Sequence, residues 1–256
     1  MSFEVIHISD LFATVVQRMR PTGTILSIVK IGTTNNYTVT STLPNVVKSG
    51  EFSLRANDYV DLLNVSGVLI KSYQVVLVTS NSFVITDASL PIGTTWRSQA
   101  PYYEHGHVLE VANTLISKND DASLKYQKYP LVVLIQDMKE DIGKKTHDYS
   151  NPNMTIFIAT LTDATYKAEK RKTDNFTPIL YPLYKKLLNE IHYSRLFCTF
   201  SPKLIEHTKF DRYYWGKEGE FANSKNIFND WLDAIEISGL ILKVKSQNNL
   251  IKNQIH

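Results

Sequence analysis

Apolar residues that recur every three or four positions mark a helix near the start of the chain. They are Leu11, Phe12, Val15, Val16 and Met19. Asp10 directly precedes them and is a residue type that favours helix N-termini, whereas Pro21 disfavours helical backbone in the residue before it. The pattern therefore predicts a short amphipathic helix that has Asp10 as its N-cap and ends before Pro21.

Residues 22–99 have a different pattern, with many Thr, Ser, Asn, Val and Ile residues and few charges. Short β-branched runs alternate with turn-forming sequences. The runs are Thr24–Ile31, Tyr37–Ser41, Tyr59–Leu63, Gln74–Thr79 and Ser82–Thr86. Such spacing is typical of a small antiparallel β-barrel or β-sandwich. Because this region begins after the first helix and ends before the second, it is predicted to be an inserted domain whose two ends lie close together.

The rest of the chain combines helical and strand patterns. We predict a helix in Tyr103–Ser117, strands in Tyr129–Gln136 and Met154–Leu161, a long helix that starts at Asp174 or Thr177, and a final strand or strand pair in Trp231–Lys245. The charged segment Asp163–Asn175 is expected to be an exposed loop. Pro178 and Pro182 must then lie in the first turn of the long helix or kink it.

The predicted fold class is α+β, in which helices pack on a small mixed sheet and a small antiparallel β-barrel or sandwich is inserted. Residues 1–21 and 100–245 are expected to form the α+β core. The insert comprises residues 22–99, and residues 246–256 form a flexible polar tail.

Composition and charge exclude several classes of protein. The chain has 256 residues, 43% of them hydrophobic, and 28 Lys and Arg against 25 Asp and Glu, a net charge of +3. This excludes a disordered polyelectrolyte and a strongly basic nucleic-acid coat. The start does not read as a signal peptide, and no apolar run approaches the roughly 18 residues of a membrane span. We therefore expect a protein without membrane contact that stays in the cytoplasm or assembles there into something larger.

A possible metal site lies in Glu104, His105, His107 and Glu110, which are ligand types for zinc or iron. If this segment is helical, residues two apart do not share a face, and the two histidines cannot bind one ion without distortion. The alternative is that these histidines cap or pack the start of a helix. No metal site is predicted here.

A metal-dependent nuclease is the strongest catalytic alternative. Asp137 and Lys139 follow a buried strand, with Asp120 and Asp121 upstream. In such enzymes carboxylates hold magnesium and a lysine orients the attacking water. A solvated strand end gives the same short pattern, and no further acidic residue completes the site.

A thiol nucleophile would require the single cysteine, Cys198, to pair with His192 or His207. A lone cysteine between apolar residues is more typical of a small core residue, and it cannot form an intrachain disulfide. The chain also lacks a G-x-S-x-G motif, a glycine-rich phosphate loop and an H-E-x-x-H motif. The sequence therefore predicts no enzyme and no cofactor.

Two segments favour contact with other macromolecules. The densest basic run could bind nucleic-acid phosphates or an acidic partner, although a solvated loop has the same composition. The most aromatic stretch contains the residue types that dominate protein–protein hot spots, but base stacking and packing on the core remain alternatives. The candidate interface residues are Lys167, Lys170, Arg171 and Lys172 in the first segment, and Phe210, Arg212, Tyr213, Tyr214 and Trp215 in the second.

Five runs in the α+β core carry a family resemblance: GHVLEVANTLI, KYQKYPLVVLIQDMKE, MTIFIATLTDATYKAEKR, FTPILYPLYKKLLNEI and DAIEISGLIL. Together with the first helix, they resemble tail-completion or head–tail connector proteins of tailed bacteriophages, most of all those of Bacteroidetes phages, including the crAss-like group. In that family an N-terminal helix precedes the sheet, and a long helix precedes the last strand.

The resemblance implies a structural protein of the virion neck or tail that is assembled in the host cytoplasm. It implies a cyclic sixfold or twelvefold ring of identical copies that contacts a portal or adaptor ring and tail proteins and helps to line the DNA channel. Such a ring is expected to have no enzyme site and no cofactor. It is expected to make non-specific contact with packaged DNA.

The inserted domain departs from the family pattern. Residues 56–86 resemble small β-barrel modules of phage structural proteins, so the insert is expected to reach a neighbouring ring. An alternative is that the insert is a separate sugar- or protein-binding module.

Overall fold

A computed structural model of the protein describes residues 7–41, 53–120, 128–135, 139–142, 150–197, 199, 201–217 and 229–242. The chain divides into two compact units. Residues 20–100 form the barrel unit, and residues 1–19 together with 101–256 form the sheet unit. The predicted tail from residue 246 lies outside the described residues.

The barrel unit is a closed barrel of six strands whose neighbours are all antiparallel. In chain order the strands are β1 (Thr22–Lys30), β2 (Asn36–Ser41), β3 (Tyr59–Leu63), β4 (Leu69–Val78), β5 (Ser82–Thr86) and β6 (Thr95–Ser98). Around the barrel their order is β1-β2-β5-β4-β3-β6, and β6 pairs with β1 to close it. The prediction of a small inserted antiparallel barrel is thus confirmed.

The barrel core explains why a glycine is required in β1. The Trp96 side chain is buried and its Nε1 donates a hydrogen bond to Ser41 Oγ at 2.8 Å, while Phe83 packs edge-on at 5.2 Å between ring centroids. A Cβ atom at Gly23 would lie 2.6 Å from both hydrogen-bonded atoms. Only glycine allows this close approach of the β1 backbone to the indole.

The sheet unit contains a mixed sheet in the order β11-β12-β10-β8-β7, and β9 also pairs with β10. Its strands are β7 (Tyr102–Gly106), β8 (Leu131–Ile135), β9 (Lys139–Ile142), β10 (Ser150–Leu161), β11 (Thr208–Arg212) and β12 (Leu232–Ile241). Strands β7 and β8 are parallel, and the other pairs are antiparallel. The fold class is α+β, as predicted.

The helices of the sheet unit are α1 (Ile8–Arg18), α2 (Val108–Asp120), α3 (Ala168–Arg171) and α4 (Tyr181–Tyr193), with a π-helix at Lys172–Leu180 and a 3-10 turn at Pro202–Leu204. All five apolar residues of the predicted first helix are buried. The prediction that Asp10 is the N-cap is wrong, because His7 occupies that position and its Nδ1 accepts a hydrogen bond from Ser9 N. Every described helix falls short of the length and apolar character that a membrane-spanning segment needs.

The predicted exposed loop at residues 163–175 is also wrong in its second half. The helix begins at Ala168 and continues through the nine-residue π-helix into α4, so Pro178 lies inside the π-helix. Two polar residues in this stretch, Arg171 and Asn175, are buried. These two polar residues occupy core-facing positions of the helix, where the apolar pattern of a helix would place apolar side chains. The sequence of this stretch therefore lacks the apolar periodicity from which a helix is predicted.

Candidate interaction surface

A buried ion pair lies at the junction of the two sequence-predicted interface segments. Arg171 Nη1 donates to Asp233 Oδ1 at 2.6 Å, and the two side chains are 1% and 0% exposed. Asn175 Nδ2 donates to the other carboxylate oxygen at 2.8 Å. Asp233 lies on β12, so this cluster fixes the start of the long helix to the sheet.

Arg171 also holds the segment that leads into the helix. Its Nε donates to the Tyr166 carbonyl and its Nη2 to the Asp163 carbonyl, both at 2.9 Å. Its Nη1 also donates to Thr162 Oγ1 at 3.1 Å. An arginine that makes four such hydrogen bonds is a structural centre rather than a surface contact.

Arg171 joins the basic segment to the aromatic one. Its guanidinium carbon lies 3.5 Å from the centroid of the Tyr214 ring. Tyr214 has a positive φ of 52°, and its backbone N–H donates to Asp233 Oδ1 at 3.3 Å. The structure thus brings together two segments that are about 40 residues apart in the sequence.

The lysines of the basic segment lie on the surface. Lys167, Lys170 and Lys172 are exposed, and among the described residues no carboxylate lies within 4.0 Å of their ammonium groups. Lys170 Nζ lies over the Tyr166 ring, 4.1 Å from its centroid. These side chains are available to an anionic partner, whereas Arg171 is internal.

The aromatic segment likewise contains both exposed and buried side chains. Phe210 and Tyr213 are 42% and 45% exposed, whereas Trp215 is buried and stacks on Phe157 at 4.7 Å between ring centroids. The Tyr213 ring and the buried Phe176 ring form a T-shaped pair with 5.0 Å between their centroids. Of the predicted aromatic anchors, Phe210 and Tyr213 therefore present the largest exposed rings.

Ion pairs and hydrogen bonds order the side chains of β11, which lies at one end of the sheet. Arg212 Nε donates to Glu236 Oε2 at 2.8 Å on the neighbouring β12. Asp211 accepts a hydrogen bond from the Tyr181 hydroxyl at 2.7 Å and pairs with Lys209. Burial, together with that carboxylate, raises the pKa of Tyr181 to about 12. These contacts hold the strand that carries Phe210.

We name the outer part of this arrangement the aromatic–basic surface. It consists of the exposed residues Lys167, Lys170, Lys172, Phe210 and Tyr213 and the half-buried Arg212. The sequence identified all six, but it did not identify Asp233, Asn175 or Tyr181, which support them. The one available signal was a carboxylate, Asp233, inside an apolar strand, because a buried charge requires a partner.

The residues of the candidate metal cluster have a structural role. Glu110 Oε2 accepts a hydrogen bond from His107 N at 3.1 Å, and His107 Nδ1 accepts one from Leu109 N at 3.3 Å. The two residues cap the start of α2, and Glu104 accepts a hydrogen bond from the Tyr102 hydroxyl at 2.6 Å. Within the described residues no three potential ligands come together. The helix predicted from Tyr103 begins instead at Val108, because β7 occupies the preceding residues.

The other catalytic alternatives involve residues outside the described part of the chain. Asp121, Asp137 and Cys198 are not described, and only the backbone of Lys139 is. The histidines considered with the cysteine have other partners. His192 Nδ1 is hydrogen-bonded to Thr199 Oγ1 at 2.8 Å, and His207 Nε2 to the Tyr184 hydroxyl at 2.6 Å.

Comparison of the chain with models of protein families, with curated proteins and with solved structures finds no significant match.

Proposed function

We propose that the protein is a structural subunit of a ring at the head–tail neck of a tailed bacteriophage, where it joins the portal or an adaptor ring to the tail. The observation that carries this proposal is the aromatic–basic surface, in which exposed Phe210 and Tyr213 lie beside a buried frame. The sequence resemblance of the α+β core supplies the class of assembly.

The aromatic part of the surface suits contact with another subunit. Exposed aromatic and arginine side chains dominate the binding energy of protein interfaces. Here Phe210 lies on β11, which the Arg212–Glu236 ion pair fixes to β12, and Tyr213 lies in the turn directly after β11. A pre-ordered surface loses less conformational entropy on association. In a cyclic ring each copy uses two different faces, and this surface is one of them.

The lysines give the same surface a second property. Lys167 at the N-cap of α3, with Lys170 and Lys172 in the turns that follow, places three positive charges at the start of one helix, without a paired carboxylate among the described residues. Such charges bind a phosphate backbone without sequence preference, and the binding weakens with salt. This is the chemistry expected where a ring borders packaged DNA.

The experiment has two parts. Mass spectrometry and immunogold labelling of purified virions test whether the chain is present and whether it lies at the neck. Absence of the chain from the particles, or labelling only elsewhere, would overturn the proposal.

The second part tests the surface itself. The double variant Phe210→Ser with Tyr213→Ser is expected to abolish rings that the wild-type chain forms in negative-stain electron microscopy. Tyr193→Ser is the matched control, because Tyr193 is an exposed aromatic residue at the end of α4, outside the surface. Equal ring formation by all three proteins would contradict the role of the surface.

A further inference from the structure

A pocket of about 480 Å³ lies on the barrel unit beside β1, β3 and β6. Its volume is within the range of roughly 300–1,000 Å³ that is typical of small-molecule sites. Two arginines, Arg20 and Arg97, belong to its wall. The polar part of the wall also includes Thr22, Thr24 and Thr95, and none of the lining residues is acidic.

The strand register places four of these polar residues on one face of the barrel wall. Thr22 pairs with Arg97 across β1 and β6. Thr24 pairs with Thr95 in the same ladder. Residues two apart on a strand share a face, so the four side chains lie together. Trp96, which lies between two of them on β6, is buried in the barrel core. The four polar side chains therefore lie on the outer face of the barrel, at the pocket.

The backbone next to Arg20 is fixed to the strand that carries Arg97. Arg20 directly precedes Pro21, whose carbonyl accepts a hydrogen bond from Ser98 N at 2.8 Å. Ser98 directly follows Arg97 on β6, so the two arginines lie on neighbouring, hydrogen-bonded segments. The proline also restricts the backbone conformation of the residue before it. Both arginines are thus positioned before a ligand binds, which lowers the entropic cost of binding.

In the part of the chain that the structure describes, Arg97 has an acidic partner, but the half-buried Arg20 side chain has neither an ion pair nor a hydrogen bond. Arg97 Nε donates to Asp61 Oδ2 at 3.1 Å, and Ser72 Oγ donates to Oδ1 of that carboxylate at 2.6 Å. Burial and the nearby Arg97 charge lower the pKa of Arg20, and Asp61 opposes them. The pocket therefore has an excess of positive charge, which a bound anion would neutralise.

We propose that this pocket binds the phosphate group of a small molecule. Guanidinium groups form charge-assisted hydrogen bonds with phosphate oxygens. A phosphate ester presents three acceptor oxygens, so it can accept from Arg20, from the Nη groups of Arg97 and from a threonine hydroxyl at once. A carboxylate has only two oxygens and would leave some of these donors without a partner. The pocket belongs to the barrel unit and the aromatic–basic surface to the sheet unit, so this inference does not rest on the proposed function.

Isothermal titration calorimetry of the full chain with inorganic phosphate, at low and constant ionic strength, tests the site. Arg20→Met is expected to raise the dissociation constant for phosphate by about tenfold or more, since it removes charge-assisted donors. Arg97→Lys keeps a charge beside Asp61 but loses the planar guanidinium, so it should weaken binding as well. Arg18→Met is the matched control, because it removes the same charge from an exposed arginine at the end of α1. It should bind phosphate as the wild type does.

Thermal melting separates a binding role of Arg20 from a structural one. The Arg20 side chain has no described partner and lies near a like charge, so Arg20→Met should melt no lower than the wild type in phosphate-free buffer. Phosphate should raise the melting temperature of the wild type but not that of this variant, because only a protein that binds the ion is stabilised by it.

Several results would overturn the inference. The wild type would bind no phosphate at millimolar concentrations, or Arg20→Met would bind it as the wild type does. An equal loss of binding in Arg18→Met would show that the general charge of the chain, rather than the pocket, attracts the ion. Acetate that binds as tightly as phosphate would contradict the choice of phosphate. Binding of duplex DNA but not of inorganic phosphate, weakened by Arg20→Met, would assign the pocket to a nucleic acid instead.

Discussion

Arg171→Met is expected to destabilise the sheet unit strongly while the barrel unit keeps its stability. The substitution retains an unbranched side chain of similar length but removes the guanidinium. Asp233, which is 0% exposed, would lose its ion-pair partner, and the carbonyls of Tyr166 and Asp163 would lose their donors. Removing one partner of a buried ion pair costs about 3–5 kcal/mol, because it leaves an uncompensated buried charge.

Hydrogen exchange followed by mass spectrometry resolves the two units in one experiment. Peptides from α4 and β12 report on the sheet unit, and peptides from β4 and β5 provide an internal control. A loss of 3 kcal/mol or more corresponds to exchange that is faster by at least about 100-fold. Lys170→Met is the matched variant, since it removes an exposed charge from the neighbouring position and should change stability by less than about 0.5 kcal/mol.

The reasoning also predicts partial rescue. Arg171→Met combined with Asp233→Asn buries no unpaired charge, so we expect it to be more stable than Arg171→Met alone. Equal exchange in the Arg171→Met and Lys170→Met variants would refute the structural role of the ion pair. A double variant less stable than Arg171→Met would refute the claim that the stranded carboxylate causes the loss.

Three further predictions concern the barrel and the lysines. Gly23→Ala should destabilise the barrel unit by about 1–3 kcal/mol, because its Cβ would meet Ser41 and Trp96 at 2.6 Å; thermal melting measures this loss. Hydrogen bonds from Lys71 and Tyr73 lower the pKa of Asp87 to about 2. As the pH falls, the Asp87 carboxylate is therefore protonated in the unfolded chain before it is protonated in the folded one. Its contribution to the free energy of unfolding is complete above about pH 4 and is lost as the pH falls towards 2. Urea midpoints of the barrel transition should fall less over that range in Asp87→Asn than in the wild type. Lys170→Glu with Lys172→Glu should weaken binding to double-stranded DNA and flatten its salt dependence, as measured by fluorescence anisotropy; unchanged affinity would remove the lysines from any DNA contact.

The spacing of apolar residues along the sequence predicts those elements in which only apolar side chains face the core. The buried apolar residues of α1, together with Met19 at its C-cap, and the alternating β-branched runs of the barrel belong to this class. Strands β6 and β7 were not predicted, because TWRS and YYEHG contain few aliphatic residues. Likewise β11, with the sequence TKFDR, lies at one end of the sheet and is largely exposed.

The candidate surface was predictable as a set of residue types but not as a geometry. Composition picked out the lysines and the aromatic residues, since both kinds are common at interfaces. It could not show that Arg171 and Trp215 are internal, because their burial depends on Asp233 and Phe157 in distant strands. Non-local pairs of this kind decide which members of a charged or aromatic run reach the surface.

The pairing of β1 with β6 also bears on how such a chain can evolve. Because Thr22 is paired with Arg97, the polypeptide leaves the barrel beside the point at which it entered. Paired antiparallel residues are separated by only about 4.5–5.5 Å between Cα atoms, a gap that one or two residues can bridge. A gene segment encoding residues 22–98 can therefore be gained or lost by a single recombination event without stretching the host polypeptide. We therefore expect some homologues to contain the barrel unit and others to lack it, while all of them share the α+β sheet unit.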